Sequence, residues 1–224
     1  MNKQQKQAIR PIAKIKSAVK KAAAQERQIR ILIAIPCYQN CEIETMESIR
    51  ALETPKNVKL DLAFQRGYVV DASRNMLVEK SLIQNYDYTF FVDSDMLLPP
   101  NTLIKLLKAE KDIICGWYIK KRPDTFIPEL FRRNDGTNAW ENIVTVPENQ
   151  IISIDGCGFG CVLIKNEVFR NIQEIDGPNW FQYIKRKDWV CSEDLVFCMK
   201  AAARNFSVFC DTGIRCGHIG KMIY

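Results

Sequence analysis

Two aspartates separated by one serine, Asp93-Ser94-Asp95, directly follow the uncharged, β-branched and aromatic run of residues 88–92. Such a run is typical of a strand buried on both faces. Two carboxylates at its end repel each other and are costly beside an apolar core unless a positive charge lies between them. Because ligands of open α/β sheets bind beyond the carboxyl ends of strands, we predict that Asp93 and Asp95 hold a divalent cation, which in turn holds a phosphate. The alternative is a turn that caps the next helix.

A histidine and a second pair of carboxylates extend the candidate site. His218 is the only histidine in the chain and is flanked by glycines, and imidazole is a common metal ligand beside carboxylates. Glu193 and Asp194 follow Ser192 at the predicted start of a helix. Each feature has a structural alternative, since a lone histidine is often structural and acidic residues in a first turn suit the helix dipole.

Glycines at alternate positions and an arginine are further candidates for ligand contacts. Gly156, Gly158 and Gly160 would let the backbone approach a ligand closely, but their spacing matches neither the dinucleotide-binding nor the P-loop pattern. Arg74, near the start of a predicted helix, has the geometry to bind a diphosphate bidentately. The alternative for Arg74 is an ordinary surface arginine.

Strands and helices alternate along the first half of the chain. Apolar runs predict strands at 29–36, 58–64, 88–92 and 112–118, with helices at 42–53, at 72–83 and after residue 100. This order predicts an α/β fold with a mostly parallel, doubly wound sheet. A long irregular segment, 119–150, contains one predicted short strand near 143–146. It is followed by predicted strands at 151–155, 161–164, 207–210 and 214–216 and helices from 166 and over 192–203.

Charge is distributed unevenly along the 224 residues. Residues 1–30 contain nine of the 32 Lys and Arg and one of the 26 Asp and Glu, so the remainder carries 23 basic and 25 acidic residues. We predict a basic N-terminal helical arm, residues 1–28, suited to a membrane surface or a protein contact, and one domain over 29–224. No apolar stretch suits a signal or a membrane span, and nine cysteines without a CxxC pair predict buried free thiols, so we expect a cytoplasmic protein, peripheral at most to a membrane.

Several motifs in order resemble those of GT-A glycosyltransferases, in particular family-2-like enzymes that use nucleotide sugars. The resemblance spans residues 29–220 and rests on IAIPCYQN, ASRNMLV, FFVDSDM, DIICGWYIKKRP, DGCGFGCVLIKNEVF, SEDLVFCMKAA and CGHIG. It implies a Rossmann-like GT-A fold, a donor such as a UDP- or GDP-sugar, and a glycan or other hydroxyl acceptor. It also implies Mn²⁺ or Mg²⁺ as cofactor.

The resemblance also implies a role for each candidate residue. Pro36, Tyr38 and Asn40 would surround the nucleoside of the donor, and Arg74 would lie near the diphosphate or ribose. Asp93 and Ser94 would contact the ribose or the metal. Asp95 and His218 would bind the metal. Gly156, Gly158 and Gly160 would leave room for the donor sugar. Trp180 and Phe181 would stack on the acceptor. Asp194 would be the base, with Glu193 positioning the acceptor or exchanging roles with it, and direct displacement would invert the anomeric centre. Retention is the alternative, because a terminal metal-binding histidine also occurs in retaining members of the fold.

One departure and two rivals bear on this hypothesis. Many relatives end the second strand with an acid that holds the nucleobase, whereas this chain has Gln65 there, and we expect Gln65 to substitute for the acid. A nucleotidyltransferase of related fold would carry a basic, glycine-rich loop after the first strand, and PCYQN contains no glycine. A nucleic-acid- or membrane-binding module without turnover fits the basic arm, but a near-neutral body disfavours nucleic acid as a partner.

Overall fold

The central sheet is built from the apolar runs of the sequence. The computed structural model describes residues 27–121, 126–134, 136–137, 139–185 and 190–220, so most of the predicted basic arm lies outside the described residues. Within them, a seven-stranded sheet consists of β1 (Ile29–Cys37), β2 (Val58–Arg66), β3 (Tyr88–Val92), β5 (Ile113–Trp117), β8 (Ile151–Ile154), β10 (Cys161–Lys165) and β13 (Val208–Arg215). The order of the strands in this sheet is β2-β1-β3-β10-β5-β13-β8.

Five strands of this sheet point the same way. β1 pairs in parallel with β2 and β3, and β5 pairs in parallel with β13. β10 lies antiparallel between β3 and β5, and β8 is the antiparallel edge strand beside β13. The sheet is therefore mostly parallel, as predicted, and the carboxyl ends of β1 and β3 lie side by side, where α/β proteins bind ligands.

Helices cover both faces of the sheet. In the described residues they are α1 (Ile43–Arg50), α2 (Val70–Ile83), α3 (Thr102–Lys108), α4 (Asn166–Asp176) and α5 (Glu193–Ala202). Alternate residues of a strand point to opposite faces, so Phe91 joins one core cluster while Phe90 and Val92 join the other. Each of these three side chains is fully buried, which explains the uninterrupted apolar run that precedes Asp93.

Short strands complete the fold around the carboxyl end of the sheet. They are β4 (Met96–Leu97), β6 (Leu130–Arg133), β7 (Trp140–Asn142), β9 (Gly156–Cys157), β11 (Ile184–Lys185), β12 (Val190–Cys191) and β14 (Gly217–His218). β7, β6 and β9 form a small antiparallel sheet, and β14 pairs with β4. All nine cysteines are free thiols and eight are buried, as predicted. No helix among the described residues has the length and apolar character to cross a bilayer.

Candidate active site

A cleft of about 450 Å³ opens at the carboxyl ends of β1 and β3. Its lining contains six residues singled out from the sequence: Pro36, Tyr38, Asp93, Ser94, Asp95 and His218. It also contains six that sequence reasoning missed: Cys37, Tyr68, Val69, Val70, Ser73 and Tyr183. Acidic, aromatic and aliphatic groups therefore share one cavity, which suits a ligand with both a charged part and a planar apolar part.

Residues 93–95 form a turn whose backbone is fixed from several sides. The Asp93 amide donates to the Gly160 carbonyl at 3.2 Å, and the Ser94 carbonyl accepts from the Glu42 amide at 2.8 Å. The next helix, α3, begins only at Thr102 and has Asn101 at its N-cap position. The aspartates therefore do not cap that helix, and the capping alternative raised from the sequence does not apply.

The last short strand brings His218 to Asp95. β14 pairs with β4 so that His218 lies opposite Met96, and the Ile219 amide donates to the Asp95 carbonyl at 2.9 Å. His218 Nε2 lies 3.6 Å from Asp95 Oδ1. His218 Nδ1 lies 2.8 Å from the Ile119 carbonyl, which can only accept, so Nδ1 carries the hydrogen and the lone pair of the neutral ring is on Nε2. A hydrogen bond of this kind, made by the ring nitrogen that does not bind the ion, orients histidines that bind metals.

The metal-binding side chains at this position suit a cation whose coordination shell is completed by a bound ligand and water. Among the described residues no group of three His, Cys, Asp or Glu side chains is arranged to hold a metal alone. Asp95 and His218 provide one carboxylate and one imidazole, which suit a divalent ion that takes its remaining ligands from phosphate and water. The ammonium of Lys121 contacts the Asp95 carboxylate, so this position already attracts positive charge. Sequence reasoning gave Lys121 no role.

Arg74 corrects one prediction. Its guanidinium is buried and joins Asp93, at 3.0 Å, to Glu193. Burial alone would lower the pKa of Arg74, but the carboxylates of Asp93, Glu193 and Asp194 outweigh burial and hold that pKa above its usual value. The guanidinium does not line the cleft. Its two terminal nitrogens bond to the carboxylates of Glu193 and Asp93, and its buried Nε has no hydrogen-bond partner among the described residues. The structure therefore makes Arg74 a link between α2, β3 and α5, and it does not support direct contact with a diphosphate.

Glu193 and Asp194 begin α5 in different surroundings. Glu193 is 4% exposed, is held by Arg74 and interacts with the hydroxyl of Tyr183, which lines the cleft. Burial raises the pKa of Glu193, and Arg74 opposes that effect. Asp194 is half-buried and accepts hydrogen bonds from the Ser192 hydroxyl and, at 2.8 Å, from the Leu195 amide. Burial raises the pKa of Asp194 as well, again against Arg74. Neither carboxylate is part of the cleft lining.

The three glycines serve packing. A methyl group on Gly156 would meet Leu195 and Trp140, one on Gly158 would meet Tyr118, and one on Gly160 would meet Met96 and Tyr118. The space that a side chain would need is therefore filled by the protein itself. This corrects the prediction that these glycines leave room for a sugar: the backbone of Gly158 and Gly160 lies close against Tyr118, whose hydroxyl accepts from the Gly160 amide at 3.1 Å.

Trp180 and Phe181 are core residues. Their exposed fractions are 1% and 0%, the Trp180 indole donates to the Phe169 carbonyl at 2.8 Å, and Phe181 stacks on Phe197 with centroids 5.0 Å apart. The prediction that these rings stack on an acceptor is wrong, because no face of either ring is open. The aromatic residue of this segment that reaches the cleft is Tyr183, two positions later.

Two further predicted contacts lie away from the cleft lining. Asn40 is exposed in the loop after β1, and Gln65 lies near the end of β2, in register with Pro36. Neither is brought to the cavity. The lining does bring Pro36 and Tyr38 together with Tyr68 and Val69 from the segment before α2.

Known structures share this architecture. No protein-family model matches the chain, and no curated protein sequence matches it. A197 from STIV is similar with a TM-score of 0.56 and 19% identity, over 86% of this chain and 87% of that one. GalNAc-T7, solved with UDP, GalNAc and Mn²⁺, is similar with a TM-score of 0.55 and 12% identity, over 88% of this chain and 45% of that one. At these identities the likeness establishes architecture alone, and the chain has the GT-A fold.

Proposed function

We propose that the protein is a metal-dependent glycosyltransferase that moves a sugar from a nucleoside-diphosphate donor, such as a UDP- or GDP-sugar, to a hydroxyl acceptor such as a glycan. The observation that carries this proposal is the position of His218 Nε2 3.6 Å from Asp95 in a cleft at the carboxyl end of the sheet. The fold supports it, and GalNAc-T7 was solved with ligands of this class. The order of the sequence motifs resembles that of family-2-like enzymes.

The cleft divides into an apolar part and an acidic part. Tyr38 is 68% exposed and Tyr68 51% exposed, so both rings are available to a nucleobase, and Val69 adds an aliphatic wall. Aromatic rings bind bases by stacking, with little dependence on base identity. Asp93 and Ser94 lie between this part and Asp95, where the ribose and the diphosphate would be placed.

Asp95 and His218 would hold Mn²⁺ or Mg²⁺. The cation, when bound, would neutralise the charge that develops on the diphosphate leaving group. The Ile119 carbonyl keeps Nε2 of His218 available, and Asp95 must exchange its contact with Lys121 for the ion. Lys121 would then be free to interact with the donor's phosphates.

Asp194 is the better candidate for the base. The Glu193 carboxylate is engaged by Arg74 and Tyr183, which fixes its position and limits its use as a proton acceptor. Asp194 is held only through one oxygen, by Ser192 and the Leu195 amide, and burial raises its pKa, as suits a general base. Removal of the acceptor's proton by Asp194 would accompany attack on the anomeric carbon and departure of the diphosphate, with inversion.

Changing Asp194 to Asn should lower kcat by about 10²–10⁴-fold, because an amide cannot take the acceptor's proton. Donor affinity should stay close to that of the parent, since Asp194 lies outside the cleft lining. The measurement is steady-state transfer together with calorimetric titration of UDP or GDP in Mn²⁺. Asp155→Asn, at an exposed carboxylate on another part of the surface, is the matched control. Parental turnover in Asp194→Asn would contradict the role of this residue.

The same assignment predicts a pH effect. The base must be deprotonated, so turnover falls as the pH drops through the pKa of Asp194 in the folded protein. Because burial raises that pKa above its ordinary value of 3.8, the acid limb of the kcat profile should lie above the pH at which a free aspartate titrates. This limb should be absent from the residual activity of Asp194→Asn. A profile that keeps the parental limb in the variant would assign it to another group.

A further inference from the structure

A second cavity adjoins the cleft and has the opposite charge. It measures about 340 Å³, contains His218 in its lining as the cleft does, and is otherwise bordered by Lys120, Lys121, Arg215 and the backbone around Ile119 and Gly217. None of the described residues that line it carries a carboxylate. We call it the basic pocket. Three cationic side chains around one concavity repel each other, so the pocket should attract an anion.

Arg215 is held in place by two aromatic rings. Its guanidinium lies between the rings of Trp117, at 5.3 Å, and Phe126, at 5.2 Å. Among the described residues no carboxylate lies within ion-pair distance of Arg215, whereas Lys121 contacts Asp95 and Lys120 approaches Glu129 at 4.0 Å. Two flanking rings restrict a planar guanidinium and leave the N–H groups at its edge available, which lowers the entropic cost of binding an oxyanion bidentately.

We infer that the basic pocket binds a phosphate or carboxylate group of a substrate, with Arg215 as the principal ligand and Lys120 and Lys121 as supporting charges. His218 borders both cavities, so an anion in the basic pocket lies next to the donor cleft. The anion is supplied either by the donor's own diphosphate or by an acceptor that carries an acidic group. That it belongs to a substrate rests on the proposed function, but the anion site itself does not.

The test begins with orthophosphate as the probe. Phosphate is titrated calorimetrically, in EDTA, into the parent protein and into Arg215→Gln and Arg215→Lys. The matched control is Arg170→Gln, which changes an exposed arginine on α4. We expect Arg215→Gln to weaken phosphate binding by about tenfold, the size of one lost charge-assisted contact. Arg215→Lys should lose less, because it keeps the charge, and Arg170→Gln should bind as the parent does. Thermal melting of each variant confirms that it is folded.

A second arm identifies the source of the anion. UDP is titrated in the presence of Mn²⁺ into the parent and into Arg215→Gln. If Arg215→Gln weakens UDP as well as phosphate, the site binds the donor's diphosphate; if UDP binding is unchanged, the site serves an acidic acceptor. Asp95→Ala separates the two proposals, because it should lose metal-dependent UDP binding and keep phosphate binding. Equal phosphate affinity in the parent and Arg215→Gln, or no saturable phosphate binding by the parent, would overturn the inference.

Discussion

Changing Asp95 to Ala should abolish the dependence of nucleotide binding on Mn²⁺. In the parent, UDP or GDP should bind much more tightly with Mn²⁺ than with EDTA. Loss of a residue that merely orients a metal ligand costs 10–100-fold in metal affinity, so loss of a ligand itself should cost at least about 100-fold. Calorimetric titration with and without Mn²⁺ measures this ratio, with Asp155→Ala as a control that removes an exposed carboxylate elsewhere.

The contact between Lys121 and Asp95 predicts a second property of this variant, its nucleotide affinity without metal. In the structure the ammonium of Lys121 contacts Asp95, so Asp95→Ala releases a cation at the edge of the cleft. Metal-free nucleotide binding should therefore be kept or strengthened in the variant, while the gain from Mn²⁺ disappears. An Asp95→Ala protein in which Mn²⁺ still tightens UDP by the parental factor would show that the ion binds elsewhere.

Changing Arg74 to Met should destabilise the fold by about 3–5 kcal/mol, the usual cost of removing one partner from a buried ion pair. The side chain is 4% exposed and neutralises both Asp93 and Glu193. Without it Glu193, itself 6% exposed at the side chain, is left charged and buried, or must take up a proton. Urea unfolding measures the loss, and Arg170→Met on the surface of α4 should change stability little.

A double variant shows whether the loss of stability comes from the buried carboxylate that Arg74→Met leaves without its partner. Arg74→Met combined with Glu193→Gln removes the buried Glu193 carboxylate and leaves Asp93, which has 27% side-chain exposure, and the half-buried Asp194. We expect the double variant to recover a large part of the stability that Arg74→Met loses, so that the two substitutions are far from additive. Additive losses, or a cost below about 1 kcal/mol for Arg74→Met, would contradict this account of the link between α2 and α5.

The strands of the central sheet could be predicted because the buried residues of each strand form a continuous apolar run in the sequence. Tyr88–Val92 is the clearest case: an apolar run long enough for one strand and ended by charge. The small sheet of β7, β6 and β9 was harder, since the strand expected near 143–146 lies instead at Trp140–Asn142. Short strands of this kind are stabilised by their partners, and their own sequence carries little signal.

Residues of the cleft could be predicted only where both the residue type and its place after a predicted strand pointed to a binding site. Asp93 and Asp95 follow a buried strand, so their location was implied, and His218 was proposed as their partner from its residue type. Its actual contact depends on two-residue strands more than 100 positions apart, which no local pattern encodes. Tyr183 and Lys121 were missed for the same reason.

The predictions that assigned buried residues to ligand contacts were wrong for one common reason. Trp180 and Phe181 have the composition of a sugar-stacking surface, and glycines 156, 158 and 160 that of a ligand-binding loop. Burial and close packing assign both groups to the protein interior. Composition does not distinguish a ring or a glycine that faces a ligand from one that faces the core, because either surface is apolar and closely packed.

The most direct test of the central claim is a crystal structure of the protein with Mn²⁺ and UDP, with diffraction data recorded at the manganese absorption edge. The account predicts one anomalous peak in the cleft, about 2.0–2.3 Å from an Asp95 carboxylate oxygen and from His218 Nε2, with UDP phosphate oxygens completing the shell and Lys121 moved away from Asp95. A nucleotide bound in the cleft with no ion between Asp95 and His218, or a manganese peak elsewhere on the protein, would contradict it.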